Sequence, residues 1–215
     1  MIEIDPAQAS GKELYFLMIS AIVPRPIAWI STRGKDGSTN LAPFSYFQGI
    51  TSKPPMISVS IGHRRWGDQL VKKDSLRNIE ETGDFVVNIP TEDQAELVTL
   101  SSTEFAPDES EIEKTGLTPV DSDIVSAPRI AECPIQFECK LDQIVWCGKP
   151  KPLNGLIIAE VVKFHIADSV WDDEKKWVDI EKLHPLSRLA GQLYGKTREV
   201  FEVERPDWAA KGVKA

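Results

Sequence analysis

The alternation of hydrophobic and polar positions along the chain predicts strands more often than helices. Short runs rich in β-branched and aromatic residues recur between Gly, Pro, Asn and Asp, which is typical of strands. The last of them, LIIAEVVKFHI, is almost continuously apolar, so we expect it to be buried on both faces or bent within a barrel. The predicted strands cover residues 22–32, 39–46, 56–61, 85–89, 135–145 and 156–166.

Helical patterns are fewer. Residues 73–82 are predicted to begin with Asp74 or Ser75 as the N-cap and to stop at Gly83, and residues 91–103 begin with the capping-box signature TEDQ. Many strands, few helices and no regular strand–helix alternation predict a mainly β fold, a closed antiparallel barrel with helices at its rim. Short helices mixed with loop are expected in residues 104–117, an acidic surface excursion, and in residues 180–195.

The net charge and the lengths of the apolar runs argue against a nucleic-acid-binding protein and a membrane protein. The chain has 215 residues, with 25 Lys and Arg against 33 Asp and Glu and a net charge of −8, which argues against a nucleic-acid surface. No apolar run reaches the roughly 20 residues of a membrane helix, and the amino terminus has no apolar signal core, so we expect a cytoplasmic protein without a membrane partner.

The cysteines and histidines indicate neither a disulfide framework nor a metal site. Cys133, Cys139 and Cys147 are odd in number and form no CxxC pair, and the three histidines do not cluster with them. We therefore expect strand thiols and no bound metal.

Three segments could carry chemistry. In NLAPFS, residues 40–45, an amide, a proline and a hydroxyl interrupt a strand pattern, so we expect this segment to pair poorly and to present backbone N–H and C=O groups to a ligand. The alternative is an irregular barrel corner.

The second segment, residues 58–79, could hold a phosphate. Ser60 and Gly62 are expected at a strand end, followed by Arg64, and Lys73 precedes a helix start whose unpaired N–H groups attract anions. Asp74 is expected to cap that helix or to orient Arg64 and Lys73. The alternative is a solvated basic loop.

The third segment, residues 183–196, brings together His184, Arg188 and Tyr194 near Gly191. These residues line a pocket or pin a carboxy-terminal loop to the barrel, and the pattern does not separate the two. The chain contains none of the motifs GxGxxG, GxxxxGK[ST], GxSxG and HExxH. If the protein is an enzyme, we therefore expect a bound cofactor to supply the chemistry that its side chains cannot.

Five motifs in order carry a family resemblance. PRPIAWIST, NLAPFSYF, KPPMISVSIG, KDSLRNIEETGDFVVN and HPLSRLAGQLYGK resemble the flavin reductase-like proteins of the FMN-binding split β-barrel superfamily, over roughly residues 15–196. The resemblance implies a single split-barrel domain, residues 1–215, with its core at about 15–196 and a tail at 197–215.

The resemblance also implies a function. It implies a homodimer that binds FMN, with FAD as the alternative, and that takes hydride from NADH or NADPH to reduce flavin. A flavin-dependent monooxygenase or another electron acceptor would be its partner. The alternatives are a flavoredoxin-like FMN electron carrier and a non-catalytic split-barrel protein for ligand binding or dimerisation.

Site residues follow from the resemblance position by position. Residues near the flavin ring would be Arg25, Trp29, Ser31, Asn40, Leu41, Ala42, Pro43 and Ser45, with Arg25, Trp29 and Ser31 on one face of one strand. Residues at the phosphate end would be Ser60, Gly62, Arg64, Lys73, Asp74 and Ser75. The catalytic candidates are His184 and Tyr194, bounding the nicotinamide pocket, and Arg188, facing the reduced flavin or the pyridine nucleotide's phosphates.

Overall fold

A computed structural model of the chain describes residues 1–103, 105, 109–149, 151 and 153–206. Parts of two predicted segments lie outside the described residues, namely Glu104 and residues 106–108 of the acidic excursion and residues 207–215 of the tail. Within the described part of the chain, no helix has both the length and the apolar character needed to cross a membrane. The helices are α1 (Gly11–Ala21), α2 (Asp74–Thr82), α3 (Ala95–Leu100), α4 (Glu111–Thr115) and α5 (Ile180–Leu183).

Strands dominate the regular structure, as the mainly β prediction requires. They are β1 (Arg25–Pro26), β2 (Ala28–Arg33), β3 (Thr39–Phe44), β4 (Phe47–Ser52), β5 (Pro55–Trp66), β6 (Gln69–Lys72), β7 (Asp84–Ile89), β8 (Pro119–Val120), β9 (Arg129–Ile130), β10 (Ile135–Cys147), β11 (Asn154–Ile166), β12 (Trp171–Asp172), β13 (Trp177–Val178), β14 (Leu186–Arg188) and β15 (Tyr194–Lys196). Eight strands form one antiparallel sheet in the order β3-β2-β7-β10-β11-β5-β4, with β6 paired to β5. A second sheet has the order β1-β14-β15.

The large sheet curls around one buried core. Its inward side chains recur at every second residue, as in Ile57, Val59 and Ile61 of β5. Leu76 and Ile79 of α2, three positions apart and thus on one helix face, join the same cluster. Because β3 at one end of the sheet and β5 near the other share this cluster, the sheet closes towards a barrel with α2 against its interior.

The outer face of β2 and β3 is also covered. Trp29 and Leu41 point away from the barrel interior into a second cluster with Val98 of α3 and Ile112 of α4. Trp29 and Leu41 are both fully buried. This packing places α3 and α4 beside β3.

The expectation that residues 40–45 pair poorly with a neighbouring strand is wrong for residues 40–44. β3 pairs with β2 along its whole length, from Thr39 opposite Arg33 to Phe44 opposite Ala28. Proline is tolerated in β3 because this strand is the edge of the sheet, where an N–H pointing outward is not needed for the ladder. The outward edge of β3 has no strand partner in the sheet, so its backbone groups face the neighbouring helices.

Helix α2 differs from the prediction at its start. Its N-cap is Lys73, not Asp74 or Ser75, and no side chain caps it. Gly83 ends the helix with φ of 78°, as expected, because a left-handed residue at this position suits glycine. Among the residues that the structure describes, no side chain therefore caps the first turn of α2.

The other helices follow the prediction in part. The capping box of Thr91 forms, but it opens one 3-10 turn before α3. A short helix, α4, lies in the 104–117 excursion, and α5 ends before Pro185. The prediction misses α1, although Ser10 and Glu13 form a capping box at its start, because its side chains are apolar on most sides and show no helical period.

Candidate functional site

Two adjoining cavities follow the open edge of β3. The first, which we call the cation cavity, encloses about 80 Å³. Its walls come from β3, β5, the start of α2, the residues after α3 and the start of α4. They are Asn40, Ala42, Pro43, Arg64, Lys73, Asp74, Ser75, Ser101, Ser102, Thr103 and Glu111. Seven of these eleven residues belong to the predicted cofactor-binding set, and Ser101–Thr103 and Glu111 were not predicted because nothing local marks them.

The second, which we call the aromatic cavity, encloses about 200 Å³. It shares Pro43 and Ser102 with the cation cavity, so the two form one β3-edge groove. A wider concavity of about 660 Å³ surrounds Cys133 and His165, but none of the predicted binding residues lines it. The aromatic cavity is lined by Tyr15, Ile27, Pro43, Phe44, Ser45, Val98, Ser102, Arg188 and Tyr194.

Arg64 and Asp74 form the charged centre of the cation cavity. The Asp74 carboxylate lies 2.9 Å from Nη2 of Arg64 and 2.8 Å from Nη1 of Arg77. Asp74 therefore orients Arg64, one of its two expected roles. Nε of Arg64 is buried without a hydrogen-bond partner among the described residues. Lys73 Nζ lies 5.5 Å from the centroid of the Phe44 ring, at the same end of the groove.

Asn40 and Ser75 meet in the wall of the cation cavity, as the prediction required. Asn40 Nδ2 donates to Ser75 Oγ over 2.8 Å, and both residues are buried. One turn further along α2, Asn78 Nδ2 donates to Thr32 Oγ1 over 3.0 Å. These two bonds attach the first turns of α2 to β3 and β2.

The backbone of β3 opens towards α4. Leu41 N–H donates to Oε2 of Glu111 over 3.2 Å, while the Leu41 side chain is fully buried in the second core cluster. Pro43, two residues along the strand, has the same orientation, so its missing N–H costs no ladder bond. Leu41 itself lines neither cavity, and its backbone N–H contacts Glu111, a wall residue of the cation cavity.

Three residues predicted beside the ring support the site from behind. Trp29 is fully buried and its Nε1 donates to Ser101 Oγ over 2.8 Å. Ser31 is fully buried and donates to the carbonyl oxygen of Pro128. Arg25 is 4% exposed, and its guanidinium donates to the backbone carbonyls of residues 19, 22 and 189.

The structure does not place these three side chains on the groove surface, because their polar atoms are satisfied inside the protein. Nor do they share one strand face: Arg25 lies in β1, which pairs with β14 in the smaller sheet. Ser45, in contrast, lines the aromatic cavity and accepts from Arg25 Nε over 3.3 Å.

Ser60 and Gly62 lie outside both cavities. We expected the strand to end near Gly62, but β5 continues to Trp66 because His63 and the residues after it pair with β6. Ser60 N–H donates to the carbonyl of Tyr46, and Gly62 lies opposite Asn154 in the ladder. A Cβ on Gly62 would be 2.6 Å from Asn154 Oδ1, so close packing accounts for the glycine.

Arg188 and Tyr194 meet in the aromatic cavity. The Arg188 guanidinium carbon lies 4.4 Å from the centroid of the Tyr194 ring, and its Nη1 donates to the carbonyl of Leu193 over 3.0 Å. Thr99 Oγ1 donates to the Tyr194 hydroxyl over 3.0 Å. The β14–β15 hairpin lines a pocket and also pairs with β1. The segment therefore both lines a pocket and attaches the carboxy-terminal loop, the two alternatives that the sequence left open.

His184 lies apart from Arg188 and Tyr194. It ends α5 with φ of 47°, and its carbonyl accepts from the N–H of Glu92. It lines neither cavity. Tyr15 of the unpredicted helix α1 lines the aromatic cavity in its place.

The cysteines have no contact with the groove. All three are free thiols; Cys139 and Cys147 lie in β10 as predicted, whereas Cys133 lies just before that strand. Cys133 and Cys139 are buried and Cys147 is exposed. Burial raises the pKa of Cys133 to about 12, so this thiol stays protonated and unreactive at neutral pH.

Comparison with known proteins identifies the family. The sequence profile of the flavin reductase like domain matches residues 19–181. The chain belongs to this family. An uncharacterized protein of Halalkalibacterium halodurans is 41% identical to it, over 95% of this chain and 97% of the relative.

Solved structures confirm the split β-barrel of this flavin reductase-like protein. It is similar to nitrilotriacetate monooxygenase component B from Bacillus cereus, with 38% identity and a TM-score of 0.87, over 94% of this chain and 98% of that one. A split barrel domain from Shewanella frigidimarina aligns over 96% of this chain and 100% of that one, with a TM-score of 0.80. At 19% identity, that likeness is one of fold alone.

The β3-edge groove fits the phosphorylated flavin that this family suggests. A phosphate requires charged donors and open N–H groups, and the cation cavity offers Arg64 with its unpartnered Nε and the uncapped start of α2. A planar ring requires an apolar slot with a few polar edges, and the aromatic cavity offers Phe44, Tyr194 and the β3 edge.

Proposed function

We propose that this flavin reductase-like protein is an FMN-dependent NAD(P)H:flavin oxidoreductase. The observation that carries the proposal is the continuity of the β3-edge groove, whose cationic end and aromatic end meet at Pro43. FMN has the same two parts in the same order, an anionic phosphate and a planar ring. When bound, FMN would supply the hydride-accepting chemistry that amino-acid side chains lack.

Arg64, Lys73 and the start of α2 hold the phosphate in this proposal. Arg64 is oriented by Asp74 and keeps an unpartnered Nε, so its guanidinium is positioned before the ligand arrives. Ser75 and Asn40 complete the wall through their shared hydrogen bond. Preorganised charged donors lose little freedom on binding, which favours affinity.

The outward backbone groups of β3 hold the ring edge. Leu41 N–H points outward from β3 and is bound by Glu111, and Pro43 stiffens the strand next to it because the pyrrolidine ring restricts φ. Peptide groups in fixed directions can match the donors and acceptors along one edge of a flavin. Ala42 and Ser45 lie on either side of Pro43 and line the same groove.

The hydride donor, NADH or NADPH, enters from the aromatic cavity. Arg188, stacked on Tyr194, offers a cation to the nucleotide phosphates or to the reduced flavin. Tyr15 bounds the same cavity from α1. The proposal gives His184 no contact with either ligand, since it lines neither cavity.

The protein would deliver reduced flavin to a partner. Its similarity to nitrilotriacetate monooxygenase component B, at 38% identity, supports a flavin-dependent monooxygenase as that partner. We also propose that two copies form a homodimer through α1, which exposes Phe16, Leu17 and Met18. Large apolar side chains left exposed on a helix are typical of an interface.

An anaerobic titration tests this function. The purified protein is scanned for flavin absorbance, saturated with FMN and then mixed with NADH or NADPH. Bleaching of the flavin bands with turnover of excess FMN is expected. Tight FMN binding without pyridine-nucleotide oxidation would instead support a flavoredoxin-like carrier, and failure to bind any flavin would overturn the proposal.

Substitution of Arg64 tests the phosphate end. We expect Arg64→Ala to weaken FMN binding roughly 10- to 100-fold, because a charge-assisted hydrogen bond contributes about 1.5–3 kcal/mol. Riboflavin, which lacks the phosphate, should bind the variant and the parent equally. Arg65→Ala is the matched control, since Arg65 is exposed on the same strand. Equal losses for FMN and riboflavin would contradict this assignment.

A further inference from the structure

A carboxylate faces the anion-binding end of the groove. Glu111, the first residue of α4, lines the cation cavity and accepts the Leu41 N–H over 3.2 Å. The cavity encloses only about 80 Å³, so a bound phosphate would lie close to this carboxylate. Two anions in a partly buried site repel each other far more strongly than in water.

The charged groups around Glu111 come from β5, from the start of α2, and from α4 with the residues before it. Arg64 of β5 and Lys73 and Asp74 at the start of α2 line the same cavity, whereas the residues after α3 contribute hydroxyls. On the α4 side, Lys114 pairs with Glu109 over 2.7 Å. Asp74 is held by Arg64 and Arg77, which leaves Glu111 as the carboxylate of the cavity that has no arginine within ion-pair distance among the described residues.

We propose that Glu111 is a proton-linked specificity residue: it binds the Leu41 N–H as a carboxylate in the ligand-free protein and takes up one proton when a phosphorylated flavin binds. This inference rests on the proposed function. The proton comes from solvent and forms an O–H bond on a Glu111 carboxyl oxygen, and no other bond breaks. The site therefore discriminates between phosphorylated and unphosphorylated flavin in a manner that depends on pH.

The direction in which the pKa of Glu111 is shifted supports this role. Burial, together with the neighbouring charge of Asp74, raises the pKa of Glu111, although the N–H of Leu41 and Arg64 oppose the shift. A carboxyl with a raised pKa accepts a proton at a smaller cost when an anion arrives. The approaching phosphate would raise that pKa further, because it adds a second source of repulsion.

Glu111→Gln separates the charge from the hydrogen bond. The glutamine amide oxygen can still accept the Leu41 N–H, while the negative charge is gone. Glu113→Gln is the matched control, since it removes the same charge from an exposed position of the same helix. Flavin fluorescence quenching gives the dissociation constants for FMN and for riboflavin between about pH 5 and pH 8.5, without any turnover.

We expect Glu111→Gln to bind FMN on the order of tenfold more tightly than the parent at pH 8. The gain should shrink as the pH falls, because the raised pKa of the parent carboxyl lets it take up a proton more readily than an ordinary glutamate. Riboflavin affinity should change less than twofold, and Glu113→Gln should match the parent with both ligands. The phosphate's own ionisation is common to all three proteins, so it cancels from the comparison.

Isothermal titration calorimetry in two buffers that differ in ionisation enthalpy measures directly how many protons the protein takes up when a flavin binds. Near neutral pH the parent should take up as much as one proton more with FMN than Glu111→Gln does, because the phosphate's own ionisation is the same for both proteins, and the two proteins should not differ with riboflavin. Equal FMN affinities of Glu111→Gln and the parent at every pH would overturn the inference while the proposed function stands. No binding of either flavin to the parent would overturn both. If Glu111→Gln does not fold, absence of proton uptake by the parent itself decides against the inference.

Discussion

At the scale of single residues, buried polar groups support the site without touching it. Trp29 binds Ser101, and Ser101 lines the cation cavity. Arg25 of β1 binds the end of α1, Ser45 and the carbonyl of Leu189 through four hydrogen bonds. These residues look like ligand contacts in the sequence because polar side chains interrupt apolar strands, but their partners are other parts of the chain.

Glu138 is the buried charge with the largest expected effect on stability. It is fully buried, accepts the N–H groups of residues 123–125 and pairs with His165 over 2.6 Å. His165, in β11, is thus a satisfied strand histidine. Burial opposes ionisation of Glu138, but the N–H donors and His165 outweigh it, and the pKa of Glu138 is lowered.

We expect Glu138→Gln to lower the free energy of unfolding by about 2–3 kcal/mol at pH 7, since an amide nitrogen cannot accept the buried N–H groups. Because the folded-state pKa is depressed, this contribution is present above the ordinary glutamate pKa of about 4.3 and is lost as pH falls through the lower folded-state value. Urea denaturation from pH 7 to pH 3 measures it. Glu160→Gln, an exposed change on β11, should have no such effect, and a constant difference at all pH values would contradict the assignment.

At the scale of elements, the site depends on one edge strand and one helix start. β3 is bound to β2 on one side only, and α2 begins beside it without a side-chain cap. The edge of β3 directs the Leu41 N–H to Glu111, and the start of α2 presents its first turn to the same cavity. The position of α2 depends on its packing into the barrel core and on the end defined by Gly83.

Gly83→Ala should lower the free energy of unfolding by about 1–2 kcal/mol, because a left-handed conformation brings Cβ close to the following carbonyl. No atom lies within 4 Å of the added Cβ, so the effect is one of backbone conformation alone. Gly11→Ala, at the start of α1, also meets open space but needs no positive φ. Its stability should be unchanged or raised by up to about 1 kcal/mol. Equal thermal midpoints for the two variants would refute this account.

At the scale of the whole molecule, α1 links the groove to the proposed dimer. Tyr15 lines the aromatic cavity, while Phe16, Leu17 and Met18 are 44–50% exposed. A helix that contacts the ligand on one side and a second copy on the other would couple assembly to binding. The exposed apolar area of α1 is otherwise costly in water.

We expect the protein to sediment at twice its chain mass of 24.0 kDa, and Leu17→Glu to sediment as the monomer, because a charge buried in an apolar interface is strongly disfavoured. Lys12→Glu, an exposed polar position of the same helix, should remain a dimer. Sedimentation velocity at several protein concentrations makes the comparison. A parent that is monomeric throughout would refute the proposed interface.

The sequence by itself determined the main strands β2, β3, β5, β7, β10 and β11, the stop of α2 at Gly83 and the capping box of Thr91, because these depend on side-chain alternation and on contacts within a few residues. Its motifs also indicated the flavin reductase-like family. Only the tertiary structure decided which polar residues face the groove. Glu111 meets Leu41 across 70 positions of the chain, and Trp29 meets Ser101 across 72. Such contacts are created by the order of strands in the sheet and the packing of α3 and α4 on β3, and no local pattern records them.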